Sequence, residues 1–231
     1  MLCVKGSGWD LATIEPPGHP AVRLLPLQAL RALDALSDEA MVAAQRQNLI
    51  DPAAPNPSVE ALLHAFLPHT FVDHTHSTAL LALADQPDAA AVCREVYGER
   101  VLLVPYVMPG FALAKACAAA WDEASSRLNP DQIEGMVLLQ HGLFSFGPTA
   151  EQSYGRMIEL VRLAEERLSR GSRTLHTVAL PERPVAAAAL LPVLRGALAR
   201  AAHGVACPKR WVLHLRDTPL ARAVKIGRAH V

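Results

Sequence analysis

The stretch Val72–Asp85, "VDHTHSTALLALAD", decides how the chain is read. Two histidines, His74 and His76, stand one residue apart between an apolar run and a leucine-spaced run. Before them, "TFVDHTH" is short and rich in β-branched and aromatic residues, which predicts a strand. After them, Ser77 can cap a helix over "TALLALAD". Side chains of a strand alternate faces, so His74 and His76 project from one face and Thr75 points away. Two imidazoles on one face can grip one metal ion. With ten histidines in 231 residues, about 0.4 such pairs arise by chance, so spacing alone leaves an ordinary packed pair open.

A catalytic zinc site usually takes three protein ligands and keeps an open position. His141 is the best third candidate, because it ends the apolar run "GMVLLQ" and precedes Gly142, at a place where a strand can end at a cleft. Glu60 precedes the histidine strand, in "PSVEALLHAFL", where Asn56 as N-cap and Pro57 at the first turn predict a helix start. An acid in that first turn can complement the helix dipole or move a proton in a facing cleft. Ser58 can cap the same start or help to hold an anion among unpaired N–H groups. His64, one turn after Glu60, can orient the acid or pack.

Strands and helices alternate along the rest of the chain. The spacing predicts a helix over 27–49 with a break near Ser37–Asp38, a loop over "DPAAPNP", and a stop at Pro68. A helix "DAAAVCREVYG" ends at Gly98, followed by a strand "RVLLVPYV" and a helix "GFALAKACAAAWDEASSRL". Two apolar strands, "GMVLLQHG" and "LFSFG", follow. Thr149 and Gln152 then open a long helix that ends at Gly171. Residues 184–204 read as helical despite Pro192, and "RWVLHLR" as a last strand. This order predicts a layered α/β domain.

Bulk properties narrow the function classes. Lysine plus arginine equals aspartate plus glutamate, 22 each, so no basic field exists to hold nucleic acid. No apolar run approaches membrane-spanning length, and the start shows no signal core. Cys3, Cys93, Cys117 and Cys207 are scattered, without the spacing of a zinc or disulfide framework, which predicts a reducing cytoplasm. "VKGSGWDL" is not a dinucleotide fingerprint, because Leu11 stands where a third glycine is needed.

In combination, "PSVEALLHAFLPHTFVDHTH", "VPYVMPG" and "LLQHGLFSFGPTAEQSYGRMIELVRLAE" resemble the class II aldolase/adducin family, from about Val4 to Leu168. "KGSGWDL" and "PSVE" resemble the aldolase half of bifunctional rhamnulose-1-phosphate aldolase/short-chain dehydrogenase proteins. The resemblance implies a three-layer α/β/α fold with a central, mainly antiparallel sheet over residues 1–172. A C-terminal helical extension with a final strand follows over 173–225. It implies one zinc ion on His74, His76 and His141, with Glu60 as acid/base. It also implies substrate phosphate at Ser7, Gly8 and Ser58, and a fourfold-symmetric homo-oligomer. Tyr106 matches a catalytic tyrosine that reaches a neighbouring subunit's site and assists protonation there, although it can also simply cap a buried strand. The implied reaction cleaves a ketose 1-phosphate, such as rhamnulose 1-phosphate in rhamnose catabolism, to dihydroxyacetone phosphate and an aldehyde. A sugar-phosphate 4-epimerase or dehydratase on the same scaffold, or an inactive truncated aldolase/adducin-like module, are the alternatives. Glutamate at position 60 favours the aldolase, and the three histidines argue against an adducin-like role. Family members carry a Gly-Asn stretch before "VKGSG", so the first strands of the sheet are expected to be missing here. Residues 226–231, "IGRAHV", are expected to be a non-native tail on a gene fragment.

Overall fold

The computed structural model describes residues 1–171, 186–200 and 212–213. The chain divides into two compact units, Met1–Gly171 and Ser172–Val231. In the first unit, β3 (Phe71–Thr75), β4 (Val101–Val104), β5 (Gly135–Leu138) and β6 (Gly142–Gly147) form one sheet in the order β3-β6-β5-β4. The β3–β6 and β6–β5 pairs are antiparallel, and β5–β4 is parallel. A separate ladder joins β1 (Leu2–Cys3) to β2 (Ala21–Val22).

Alternation of side chains sorts the sheet's residues into two cores. Met136 and Leu138 of β5, with Phe144 and Phe146 of β6, pack on one face. There they meet helices α1 (Leu24–Ala29), α3 (Ala61–Phe66) and α6 (Phe111–Ser125), and Met41 of α2 (Asp38–Gln47) joins the same cluster. Val137 and Leu143 face the other way. They meet α4 (Thr78–Ala84), α5 (Ala89–Tyr97) and α7 (Ala150–Ser169). The result is the three-layer α/β/α arrangement with a mainly antiparallel sheet that the family resemblance implies. Every residue of β5 and β6 is buried, so these two strands form the floor between both cores.

Local signals set most boundaries. The Ser37 hydroxyl accepts from Ala40 N–H at 3.2 Å and opens α2, so the long predicted helix does break at Ser37–Asp38. The Thr149 hydroxyl accepts from Gln152 N–H at 3.2 Å and opens α7. Gly98, at φ +58°, ends α5. Leu67 takes an extended conformation before Pro68 and ends α3.

Several predicted boundaries differ. The helix expected from Asn56–Pro57 begins only at Ala61, with Glu60 as its N-cap residue at φ −91° and ψ 7°. Tertiary pairing prevents an earlier start. Pro57 forms a β-bridge with Gly6. Ser58 N–H donates to Lys5 C=O at 2.9 Å, and Ser7 N–H donates to Asn56 C=O at 2.7 Å. Segment 56–58 is thus held beside the N-terminal loop instead of coiling. The strand predicted over "RVLLVPYV" is likewise shorter and ends at Val104, before Pro105.

In the second unit, α8 (Ala187–Arg200) forms around Pro192, as expected. The strand predicted in "RWVLHLR" lies outside the described residues except Val212 and Leu213, which are not in a strand, and the tail 226–231 lies outside them. Among the described residues, no helix is long and apolar enough to cross a membrane.

Candidate metal centre

Four side chains from three separate segments converge at one end of the central strands. Glu60, His74, His76 and His141 each offer a donor atom, all within 4.8 Å of one another. Glu60 comes from the start of α3, His74 from β3 and His76 from just beyond it. His141 comes from the turn between β5 and β6. In that turn Gln140 adopts φ +60°, a left-handed conformation uncommon outside glycine.

His74 is fixed from behind. Its Nδ1 lies 3.0 Å from Leu143 C=O, so Nδ1–H donates to that carbonyl and Nε2 is left for the cluster. Its ring stacks on Phe144 at 4.1 Å between centroids, with 14° between planes. Nε2 of His74 then lies 2.9 Å from Nε2 of His76 and 3.3 Å from Oε2 of Glu60. Nε2 of His141 lies 2.7 Å from Oε1 of Glu60.

This donor set fits a divalent cation. With Nδ1–H committed to Leu143, the Nε2 of His74 points at both a carboxylate oxygen and the other imidazole. Such a meeting is repulsive unless a proton or a cation stands between. Two nitrogens on a tetrahedral zinc lie about 3.3 Å apart, given bonds of about 2.0–2.1 Å. The observed 2.9 Å needs only a small opening. Imidazole nitrogens beside a carboxylate suit zinc and other transition metals.

Electrostatics agree with the geometry. Partial burial alone would raise the Glu60 carboxyl, but hydrogen bonds and charge from His141 and His74 outweigh it and hold the acid well below the usual carboxylate range. Burial, and then the charge of His74, lowers His76 and favours its neutral, ligating form. Burial pushes His64 down to about 4, with His74 adding to it. His64 meets Phe144 edge-on at 5.6 Å and has no hydrogen bond to Glu60 among the described residues. It packs rather than orients.

The expected phosphate residues lie along one seam. Ser7 and Gly8 are exposed in a turn where Gly8 takes φ +84°, and that turn is stitched to 56–58 by the bonds given above. The Ser58 hydroxyl accepts from Glu60 N–H at 3.2 Å, which puts it directly beside the histidine cluster's acid. Tyr106 is 50% exposed, and its hydroxyl lies 3.8 Å from Met108 Sδ. It has no hydrogen bond to the cluster among the described residues.

Sequence reasoning passed over Leu143 and Phe144, which hold His74, and took Gly142 only as a strand-end marker. A glycine opening a strand is itself a signal of close approach.

Comparison with known proteins gives the family and the fold. YuxG of Bacillus subtilis (strain 168), named an uncharacterized oxidoreductase, is 33% identical over 206 residues, covering 86% of this chain. The chain spans 29% of that relative's length. The N-terminal class II aldolase domain of a conserved Thermoplasma acidophilum protein is 36% identical, with a TM-score of 0.65 over 72% of this chain and 74% of that one. YgbL from Klebsiella pneumoniae shares the fold, at 21% identity and a TM-score of 0.50, over 74% of this chain and 73% of its own. Residues 1–168, the segment that carries the sheet, the histidines and Glu60, match the family model described as the class II aldolase and adducin N-terminal domain, and the chain belongs to that family.

Proposed function

We propose that this chain is a zinc-dependent class II aldolase that cleaves a ketose 1-phosphate of the rhamnulose 1-phosphate kind to dihydroxyacetone phosphate and an aldehyde. The convergence of His74, His76 and His141 on the Glu60 carboxylate carries the reading. Residues 1–172 would hold the activity and 173–225 extend it. The chain would work in the cytoplasm as a homo-oligomer, with Tyr106 free to serve a neighbouring subunit's site.

His74, His76 and His141 would hold the ion, and the ion would supply Lewis acidity to the substrate's carbonyl and adjacent hydroxyl oxygens. Glu60 is held ionised and within reach of the same place. It would take the proton of the hydroxyl on the carbon beyond the breaking bond, and later deliver a proton to the carbon left behind. Ser7, Gly8 and Ser58 would bind the substrate phosphate through backbone N–H groups and hydroxyls. The seam beside Glu60 would thereby set the distance from phosphate to reacting carbon.

The test is the metal content of the purified 231-residue chain beside a His74→Ala/His76→Ala double variant, followed by an assay of rhamnulose 1-phosphate cleavage. About one zinc per chain, lost in the variant, together with aldehyde release, supports the reading. A folded wild-type chain that takes up no zinc overturns it. Zinc binding with epimerisation and no cleavage points to the epimerase reading.

A further inference from the structure

Gly142 opens β6 immediately after His141 and pairs with Leu138 of β5. Its φ is not positive, unlike those of Gly8, Gly98 and Gly110. Backbone conformation therefore does not demand glycine here, but space does. A methyl group at this position would lie 2.6 Å from the Thr75 carbonyl oxygen, 2.9 Å from His74 Cε1 and 2.9 Å from His76 Cδ2. Both ring carbons are bonded to the Nε2 atoms that meet at 2.9 Å. The missing side chain thus coincides with the place where the two imidazoles pass the end of β6.

We infer that Gly142 is a positioning residue of the histidine cluster: its lack of a side chain is the space in which His74 and His76 bring their Nε2 atoms together. His74 cannot yield to a methyl group there, because the Leu143 carbonyl and the Phe144 ring hold it from behind. The Thr75 carbonyl, the nearest contact, lies where β3 pairs with β6 and retreats only as the end of β3 shifts. That shift carries the adjoining His76 with it, its exposed ring swings away, and the site loses one of its three nitrogens.

The inference rests on the proposed metal site, and its test separates the two. Zinc affinity and the imidazole resonances in long-range ¹H–¹⁵N spectra are measured for wild type, Gly142→Ala and Gly155→Ala. Gly155 lies on α7, and a side chain there meets only open space. We expect zinc affinity to fall by about 10–100-fold in Gly142→Ala, with no change in Gly155→Ala. The His74 and His76 resonances should move in the first variant alone.

Wild-type affinity and unmoved resonances in a folded Gly142→Ala chain overturn the inference. If wild type binds no zinc, the metal reading fails, and the resonances still decide the role of Gly142. If Gly142→Ala does not fold, it is repeated in a His76→Ala background. Restored folding supports the inference. Continued failure assigns the clash to the Thr75 carbonyl and overturns it.

Discussion

Glu60 and His141 lie 81 positions apart in the chain and meet through Oε1 and Nε2 at 2.7 Å. The acid stands at the start of α3 and the imidazole in the β5–β6 turn. Neither segment could place the other locally. Helix α3 packs on the face of the sheet that carries Phe144, and the turn protrudes from the end of the same strands. A carboxylate held there, well below the usual carboxylate range and beside two imidazoles, is placed as the proton carrier of the proposed reaction would have to be.

Replacing it separates proton transfer from binding. Glu60→Gln keeps the shape and a carbonyl oxygen but cannot carry the proton. Zinc content should stay near wild type, while cleavage of the ketose 1-phosphate falls by about 10²–10⁴-fold. Rates of aldehyde release set beside metal analysis make the check, and an undiminished rate would remove Glu60 from the chemistry.

Zinc should stabilise the fold by mass action. At free zinc about 100-fold above its Kd, the gain is about 2.7 kcal/mol, read as a rise in Tm that a chelator reverses. Protons compete for the same nitrogen lone pairs. The lowered pKa of His76 keeps that ring neutral below the ordinary histidine range. The zinc-dependent rise in Tm should therefore shrink on acidification. A rise independent of pH would argue against imidazole ligands.

His69 gives a separate pH dependence. Its ring stacks on Phe146 at 4.2 Å and meets Trp121 edge-on at 4.4 Å, and its Nε2 is buried without a partner. Burial, with the charge of Arg156 adding to it, pushes its pKa down to about 4. The unfolded chain takes up this proton near pH 6.5, and the folded chain resists until about pH 4. Stability is thus fully present above about pH 6.5 and is lost as pH falls toward 4. Allowing for partial exposure, the loss is about 1–2 kcal/mol. His69→Phe keeps the stacking and should flatten this limb in denaturant melts at pH 7, 5.5 and 4. An identical pH profile in the variant would exclude His69 as the source.

Two glycines should respond oppositely to alanine. A methyl group at Gly135 would lie 2.2 Å from the Phe144 carbonyl oxygen, inside the β5–β6 ladder. Gly135→Ala should cost about 1–3 kcal/mol or more. Gly155 is exposed within α7, with open space where a side chain would go. Gly155→Ala should gain about 0.5–1 kcal/mol. Thermal melts of the two variants give the comparison, and a neutral Gly135→Ala would mean that β5 and β6 pair less closely than they do here.

Much of this was legible in the sequence because the signals are short-range. The alternation in "TFVDHTH" marked β3, and the Thr149 cap and the Gly98 stop marked helix ends. Both histidines of the pair, His141 and Glu60 were singled out from spacing and context. What went wrong at Asn56–Pro57 is instructive. Those residues carry a good helix-start signal, yet Gly6 pairs with Pro57, and Lys5 takes the N–H of Ser58, from more than 50 residues away. A propensity of a few tenths of a kcal/mol yields to such pairing.

The sequence by itself determined the kinds of element and their order, and singled out the four side chains that converge beside the sheet, because alternation, capping and ring chemistry act within a few residues. Only the tertiary structure decided that Glu60 faces the histidines rather than its own helix dipole. It also decided that His74 is held by the Leu143 carbonyl and the Phe144 ring, and that Gly142 must lack a side chain. These follow from strand register and close packing between segments distant in the chain, where shifts of less than one ångström separate a contact from a clash.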